Sequence, residues 1–213
     1  MRPYVILNSA MSLDGKIATK TGDSAFSSQE DWVRVHKLRK EVDAVMVGIN
    51  TVIKDNPRLT VRLVACEKQP TRIVVDSKGR IPLTARILER EAPTIIAVSE
   101  RAPKRRLALL SKKAEIIVCG GSKVDLNCLL NKLFERGIRK ILLEGGGTLN
   151  WGMLKEKLVD KVIVAISPVI VGGRNAITLV EGEGFGFVRE GIKLKLLRYY
   201  KAGYNLILEY EVV

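Results

Sequence analysis

A chain of 213 residues is long enough to bury a core, and 46% hydrophobic with 28% charged residues is the composition of a folded domain, not of a disordered segment. The formal net charge of +13 suits anionic small molecules or nucleic acid. The cations are spread along the chain, with Lys104-Arg105-Arg106 the tightest cluster and no RNA-binding or zinc-finger pattern beside them, which disfavours nucleic acid.

Residues 4–8 read as a first strand, and their apolar stretch is too short for a signal peptide. A helix follows over 29–41, where Ser27 and Glu30 have capping-box spacing. At about 100° per residue, Trp32, Val35, Leu38 and Val42 form its apolar stripe, with Arg39 about 20° and His36 about 40° from Trp32. Strand 44–48 leads into a polar stretch in which Thr51 and Asp55 share a helical face before Asn56-Pro57 stops the turn. Strands over 72–76, 94–98, 115–118, 140–143 and 161–166 alternate with helices over 101–112, 124–136 and 149–158, Gly137 standing where a C-terminal cap belongs. The tail, 193–200 and 205–212, reads as an antiparallel hairpin. The expected fold is one α/β domain over 1–213 with a mostly parallel sheet, closed at one edge by that hairpin. No apolar run nears the roughly 20 residues of a membrane span. Three scattered cysteines and a single histidine offer neither a disulfide framework nor a metal site. A cytoplasmic protein without metal, membrane or nucleic-acid partner is expected.

The strongest chemical signal is Leu143-Glu144-Gly145-Gly146-Gly147-Thr148, a buried strand running through three glycines into a helix. Bare amides at a helix start favour phosphate, and a dinucleotide phosphate is expected there, although the full Rossmann spacing is absent. Glu144, at the strand tip, is placed to accept hydrogen bonds from a substrate or hold a water. A second cluster, Asp76-Ser77-Lys78-Gly79-Arg80, suits a 2′-phosphate and favours NADPH over NADH. Arg39, leaning inward, needs an anion: a structural carboxylate or a ligand phosphate.

Four ordered segments carry a resemblance. Asn8-x-x-x-Ser12-Leu13-Asp14-Gly15-Lys16, the stretch from Gly48 through Thr51, Asp55-Asn56-Pro57 and Leu59-Thr60-Val61-Arg62, Arg72-Ile73-Val74-Val75-Asp76-Ser77, and Leu143 through Leu149 together resemble the riboflavin-biosynthesis reductases. The pattern is similar to the stand-alone archaeal and fungal type acting on 2,5-diamino-6-ribosylamino-4(3H)-pyrimidinone 5′-phosphate. The same domain forms half of the bacterial deaminase–reductase, whose deaminase motif this chain lacks. The resemblance implies a dihydrofolate-reductase-like three-layer fold, a homodimer, NADPH as cofactor with NADH as the alternative, and reduction of a ribosylamino phosphate to its ribitylamino product. It implies cofactor contacts from Ala10, Phe26, Thr51, Asp55, Ser77, Lys78, Gly79, Gly121, Gly145, Gly146, Gly147 and Thr148. Substrate contacts are implied for Ser24, Arg39, Leu59, Arg62 and Glu144. Glu144 and Asp55 are the catalytic candidates for moving a proton, with Asp14 or a water as alternatives. Dihydrofolate reduction on the same fold, and a basic nucleic-acid-binding module, are the competing functions.

Overall fold

A computed structural model describes the whole chain, Met1–Val213. In chain order its regular elements are β1 (Tyr4–Ser12), α1 (Gln29–Lys40), β2 (Ala44–Gly48), α2 (Ile49–Asp55), β3 (Thr71–Val75), β4 (Thr94–Val98), α3 (Lys104–Leu110) and β5 (Glu115–Val118). Then come α4 (Leu126–Glu135), β6 (Lys140–Leu143), α5 (Gly147–Lys155), β7 (Lys161–Ser167), β8 (Leu194–Ala202) and β9 (Asn205–Val212). The chain forms two compact units, each discontinuous in sequence: Met1–Tyr4 with His36–Leu142, and Val5–Val35 with Leu143–Val213.

In the first unit the strands run in the order β5-β4-β3-β2-β6. β2, β3, β4 and β5 pair in parallel, with Met46 opposite Ile73, Ile73 opposite Ile95 and Ile96 opposite Ile116. Ala44 to Val47, Ile73, Val74 and Ile95 to Val98 are buried, as continuous Val/Ile runs covered on both faces must be. α4 is amphipathic: Leu126, Leu129, Leu130 and Leu133 recur at helical spacing and are buried, each stabilising by about 1.5–3 kcal/mol. The Asp125 carboxylate caps it by accepting from the Cys128 N–H at 2.9 Å. Gly137 ends it at φ 84°, donating to Phe134 O, while Ile138 donates back to Leu133 O. This is the Schellman closure expected of that glycine. Arg72, fully buried on β3, spends its guanidinium on the carbonyls of Arg58, Glu89 and Ala92, tying loops to the strand's start.

In the second unit the order is β1-β7-β9-β8. β1 and β7 are parallel, and β7–β9 and β9–β8 antiparallel. The mostly parallel pairing and the antiparallel C-terminal hairpin are those expected from the sequence. β1 continues to Ser12, beyond the expected end at Asn8, because ladder bonds to β7 ignore side-chain polarity: Ser12 still pairs with Ser167. The hairpin turns at Gly203, φ 57°, where a side chain would collide with Ser28 and Glu30.

Two local expectations are corrected in α1. Ser28, not Ser27, is the cap: its hydroxyl accepts from the Asp31 N–H at 3.1 Å and donates to Ala202 O at 2.9 Å. The buried face is also polar where an apolar stripe was expected. Asp31, Val35, His36 and Arg39 are buried, whereas Trp32 is 43% exposed. Asp31 tolerates burial by pairing with Arg34 at 2.7 Å.

Candidate active site

Register aligns the carboxyl ends of four strands in the first unit: Gly48 lies opposite Val75, Val75 opposite Ala97, and Val98 opposite Val118. The loops beyond them therefore share one edge, where ligands of parallel sheets bind. Thr51 and Asp55 stand there on α2, and Asp76 to Arg80 follow β3. The Ser77 hydroxyl accepts from the Val124 N–H at 3.0 Å, and its carbonyl accepts from the Ser99 hydroxyl at 2.8 Å. Three loops are thus joined around it. Asp76 is buried and accepts from the Ile81 N–H at 2.8 Å, shaping the turn that presents exposed Lys78. Gly79 has φ 63°, and its missing side chain is replaced by Arg106, Leu107 and Leu110. Gly121 is open, with only Glu100 Oε2 at 3.9 Å from where a Cβ would stand. Asp55 is exposed, but partial desolvation of its carboxyl pushes its pKa upward, Lys54 pulling against it.

The same unit brings together Arg39, Leu59 and Arg62. Buried Arg39 donates Nη1 to the Thr60 carbonyl at 3.2 Å. Arg62 donates Nη1 to that carbonyl at 3.3 Å and to the Thr60 hydroxyl at 2.9 Å. Two guanidiniums thus converge on one oxygen. Burial lowers the Arg62 pKa, and the charges of Arg39, Arg58 and Arg86 lower it further, with Glu91 opposing. Such crowding of cations favours an anionic ligand. The segment is tightly held: Gln69 bridges Val61 N and O at 2.7 and 2.9 Å, and His36 Nδ1 accepts from the Arg62 N–H at 2.8 Å. Leu59, 3% exposed, is in the left-handed region at φ 55°, a conformation that Leu adopts only where its surroundings impose it.

The second unit holds the glycine turn. Glu144 is half-buried at the tip of β6. Gly145 has φ 88°, and only Asn150 Nδ2, at 3.8 Å, is near the place of its missing Cβ. Gly146 is the N-cap of α5 without a side-chain cap, which leaves the first-turn amides of that helix without intrahelical partners. Gly147 is explained differently. A Cβ there would meet Thr178 O at 2.6 Å and Glu181 Cγ at 2.8 Å, so this glycine admits protein backbone. Thr148 is exposed. Asn150, which sequence reasoning passed over, is fully buried; its Nδ2 donates to Leu179 O at 2.8 Å and its Oδ1 has no protein partner. Ala10 lies on β1 opposite Ala165. Ser24 is exposed, while Phe26 is buried with its carbonyl accepting from Asn205 Nδ2 at 3.0 Å. The Asp14 carboxylate accepts from the Val171 and Gly172 amides; the Ser12 hydroxyl and these amides lower its pKa to about 2, so it is a loop anchor. No three His, Cys, Asp or Glu side chains are grouped to hold a metal ion. No helix is long and apolar enough to cross a membrane.

Parallel strands with loops gathered at their carboxyl ends, a buried Arg39 and an exposed Arg62 that share one carbonyl, and, in the second unit, a glycine turn opening a helix define an α/β protein with features suited to anionic ligands. The model of the RibD C-terminal domain matches residues 3–208, and the chain belongs to that family. It is 56% identical, over 100% of its length and 99% of the relative's, to the 2,5-diamino-6-ribosylamino-4(3H)-pyrimidinone 5′-phosphate reductase of Methanothermobacter thermautotrophicus. It is 44% identical, over 100% and 97%, to the protein of the same name from Aquifex aeolicus. Among solved structures, Acinetobacter baumannii RibD superposes with a TM-score of 0.87 at 29% identity; this chain is covered completely and spans 58% of that one.

Proposed function

We propose that this chain is an NADPH-dependent reductase of riboflavin biosynthesis that converts 2,5-diamino-6-ribosylamino-4(3H)-pyrimidinone 5′-phosphate to its ribitylamino product in the cytoplasm. The full-length relation to reductases of that name supports the reaction. The observation that carries the substrate class is the convergence of the Arg39 and Arg62 guanidiniums on Thr60, a ready grip for the ribose phosphate.

The residues present fit a dinucleotide. Gly121 and Gly145 are open where a side chain would stand, and the buried Asn150 Oδ1 is without a protein partner. Thr51, Asp55, Ser77, Lys78, Gly79 and Gly121 of the first unit would hold it. From the second unit Ala10, Phe26, Gly145, Gly146, Gly147 and Thr148 would do so. When bound, the nicotinamide supplies the hydride. The part proposed for the first unit is to fix the phosphate through Arg39 and Arg62 and to contact substrate through Leu59; in the second unit Ser24 and Glu144 are the proposed substrate contacts, and Asp55 and Glu144 are the candidates for moving one proton. Asp55 keeps its proton to higher pH than an ordinary aspartate, which suits a donor; Glu144, at a strand tip, suits an acceptor or a water holder.

The exposed apolar edge formed by Leu194, Leu196, Leu197 and Tyr199 on β8 supports a homodimer. Sedimentation velocity at micromolar concentration should give twice the mass of 23.6 kDa. For the reaction, following nicotinamide absorbance should show NADPH consumed with the phosphorylated ribosylamino pyrimidine, more slowly with NADH, and not with dihydrofolate. Turnover of dihydrofolate alone, or nucleic-acid binding without any NADPH oxidation, would overturn the proposal.

A further inference from the structure

The only histidine of the chain is almost completely buried on α1, one turn before Arg39, and its ring nitrogen Nδ1 faces the backbone of the arginine segment. It accepts from the Arg62 N–H at 2.8 Å and lies 3.4 Å from the Leu63 amide nitrogen. A nitrogen that accepts carries no proton, so this imidazole acts here through its Nδ1 lone pair. Three other contacts fix the same stretch: Gln69 on Val61, Arg39 on the Thr60 carbonyl, and Arg62 itself on the Thr60 hydroxyl. Together they hold a chain that passes through an unfavourable left-handed Leu59. The Arg62 amide is the one contact at the root of the side chain that reaches Thr60.

From this geometry we infer that His36 is a positioning residue for substrate: by accepting the Arg62 N–H it sets the direction of that guanidinium and so the affinity for the phosphate. This rests on the reading of Arg39 and Arg62 as the phosphate grip. It assigns His36 no contact with substrate and no proton transfer.

The test uses the whole enzyme, NADPH and the phosphorylated pyrimidine, with KM and kcat measured separately. His36→Leu keeps bulk and removes the acceptor. His36→Asn places Oδ1 two bonds from Cβ, where Nδ1 stood, whereas His36→Gln places its oxygen one bond farther out. A partly buried amide left without its acceptor weakens the arrangement enough to raise KM roughly tenfold in His36→Leu, with kcat changed less than about twofold. His36→Asn should recover most of that loss and His36→Gln much less. The double variant His36→Leu/Arg62→Ala should be no worse in KM than Arg62→Ala alone. An unchanged KM in His36→Leu, equal losses in Asn and Gln, or additive losses in the double variant would each overturn the inference. Should His36→Leu not fold, the Asn–Gln contrast decides. A wild-type enzyme inert on this substrate refutes the proposed function. A wild type that is active, and impaired by Arg62→Ala but not by His36→Leu, refutes only the role of His36.

Discussion

Asn150 gives the sharpest test of the cofactor cradle. Its side chain is fully buried, its Nδ2 donates to Leu179 O at 2.8 Å, and that bond fixes which way the amide faces. Oδ1 is left without a protein partner, while Nδ2 lies 3.8 Å from where a Cβ of Gly145 would stand. A buried acceptor without a donor costs about 1–3 kcal/mol, which a ligand donor restores on binding. Replacing Asn150 by Leu, of similar volume, loses one hydrogen bond worth about 1 kcal/mol and removes the unsatisfied acceptor. The two effects nearly cancel in the free protein, so the melting temperature should move by less than about 4 °C for a chain of this size. In the complex only the loss remains. At 1.4 kcal/mol per tenfold, the dissociation constant for NADPH should rise about tenfold. Nicotinamide fluorescence titration measures it, and scanning calorimetry checks the fold. A variant that melts near the wild type and binds NADPH equally well would remove Oδ1 from the cradle. A fall of more than about 10 °C would make the amide a structural pin instead.

Arg39→Ala and Glu144→Gln should each cut turnover or substrate affinity strongly, by at least about tenfold, while NADPH titrations stay near wild type; steady-state kinetics beside the same titration checks both. Gly147→Ala should destabilise by about 1–3 kcal/mol, since its Cβ would press on Thr178 O and Glu181, and calorimetry should find a melting point several degrees lower. Glu209 predicts an acid-sensitive hairpin. Burial alone would raise its pKa, but bonds from Arg198 at 2.7 Å, Lys161 at 2.6 Å and Tyr200 at 3.1 Å outweigh burial and hold it below the unfolded value. A depressed carboxylate adds stability above the unfolded value of 4.5, and that stability is lost as pH falls through the folded one. Glu209→Gln should therefore melt a few degrees lower at neutral pH, with the gap closing in acid; a gap constant with pH would remove this explanation.

The fold was legible where burial dictates residue type. β2, β3 and β4 are unbroken Val/Ile runs because both faces are covered, and the Gly137 cap follows from a left-handed residue at the end of α4. The errors share a cause. The sequence reading ended the first strand at the first polar residue, but β1 runs to Ser12 on backbone bonds that side chains do not report. Capping moved from Ser27 to Ser28 because Ala202 and Asn205, remote in sequence, bond to Ser28. Gly147, a candidate of the cofactor turn, has in addition a packing reason that the local sequence does not report: Thr178 approaches it from 31 positions along the chain.

α1 extends that lesson to the site. A stripe drawn through Trp32, Val35 and Leu38 is what hydrophobicity alone prescribes, yet the helix buries Asp31, His36 and Arg39 and leaves Trp32 substantially exposed. Burying those groups costs free energy that only specific partners offset. The structure supplies them in Arg34 for Asp31, the Arg62 amide for His36 and the Thr60 carbonyl for Arg39. The conflict with local rules continues in the segment those partners belong to, at left-handed Leu59. Natural sequences contradict their own local preferences mainly where function demands it. A buried polar helix face and a strained loop, bound to each other through His36 and Arg39, therefore support the proposal of a site in this part of the first unit on grounds separate from any likeness to known reductases. The likeness supports the reaction proposed, and the cost of the arrangement supports the proposed phosphate grip.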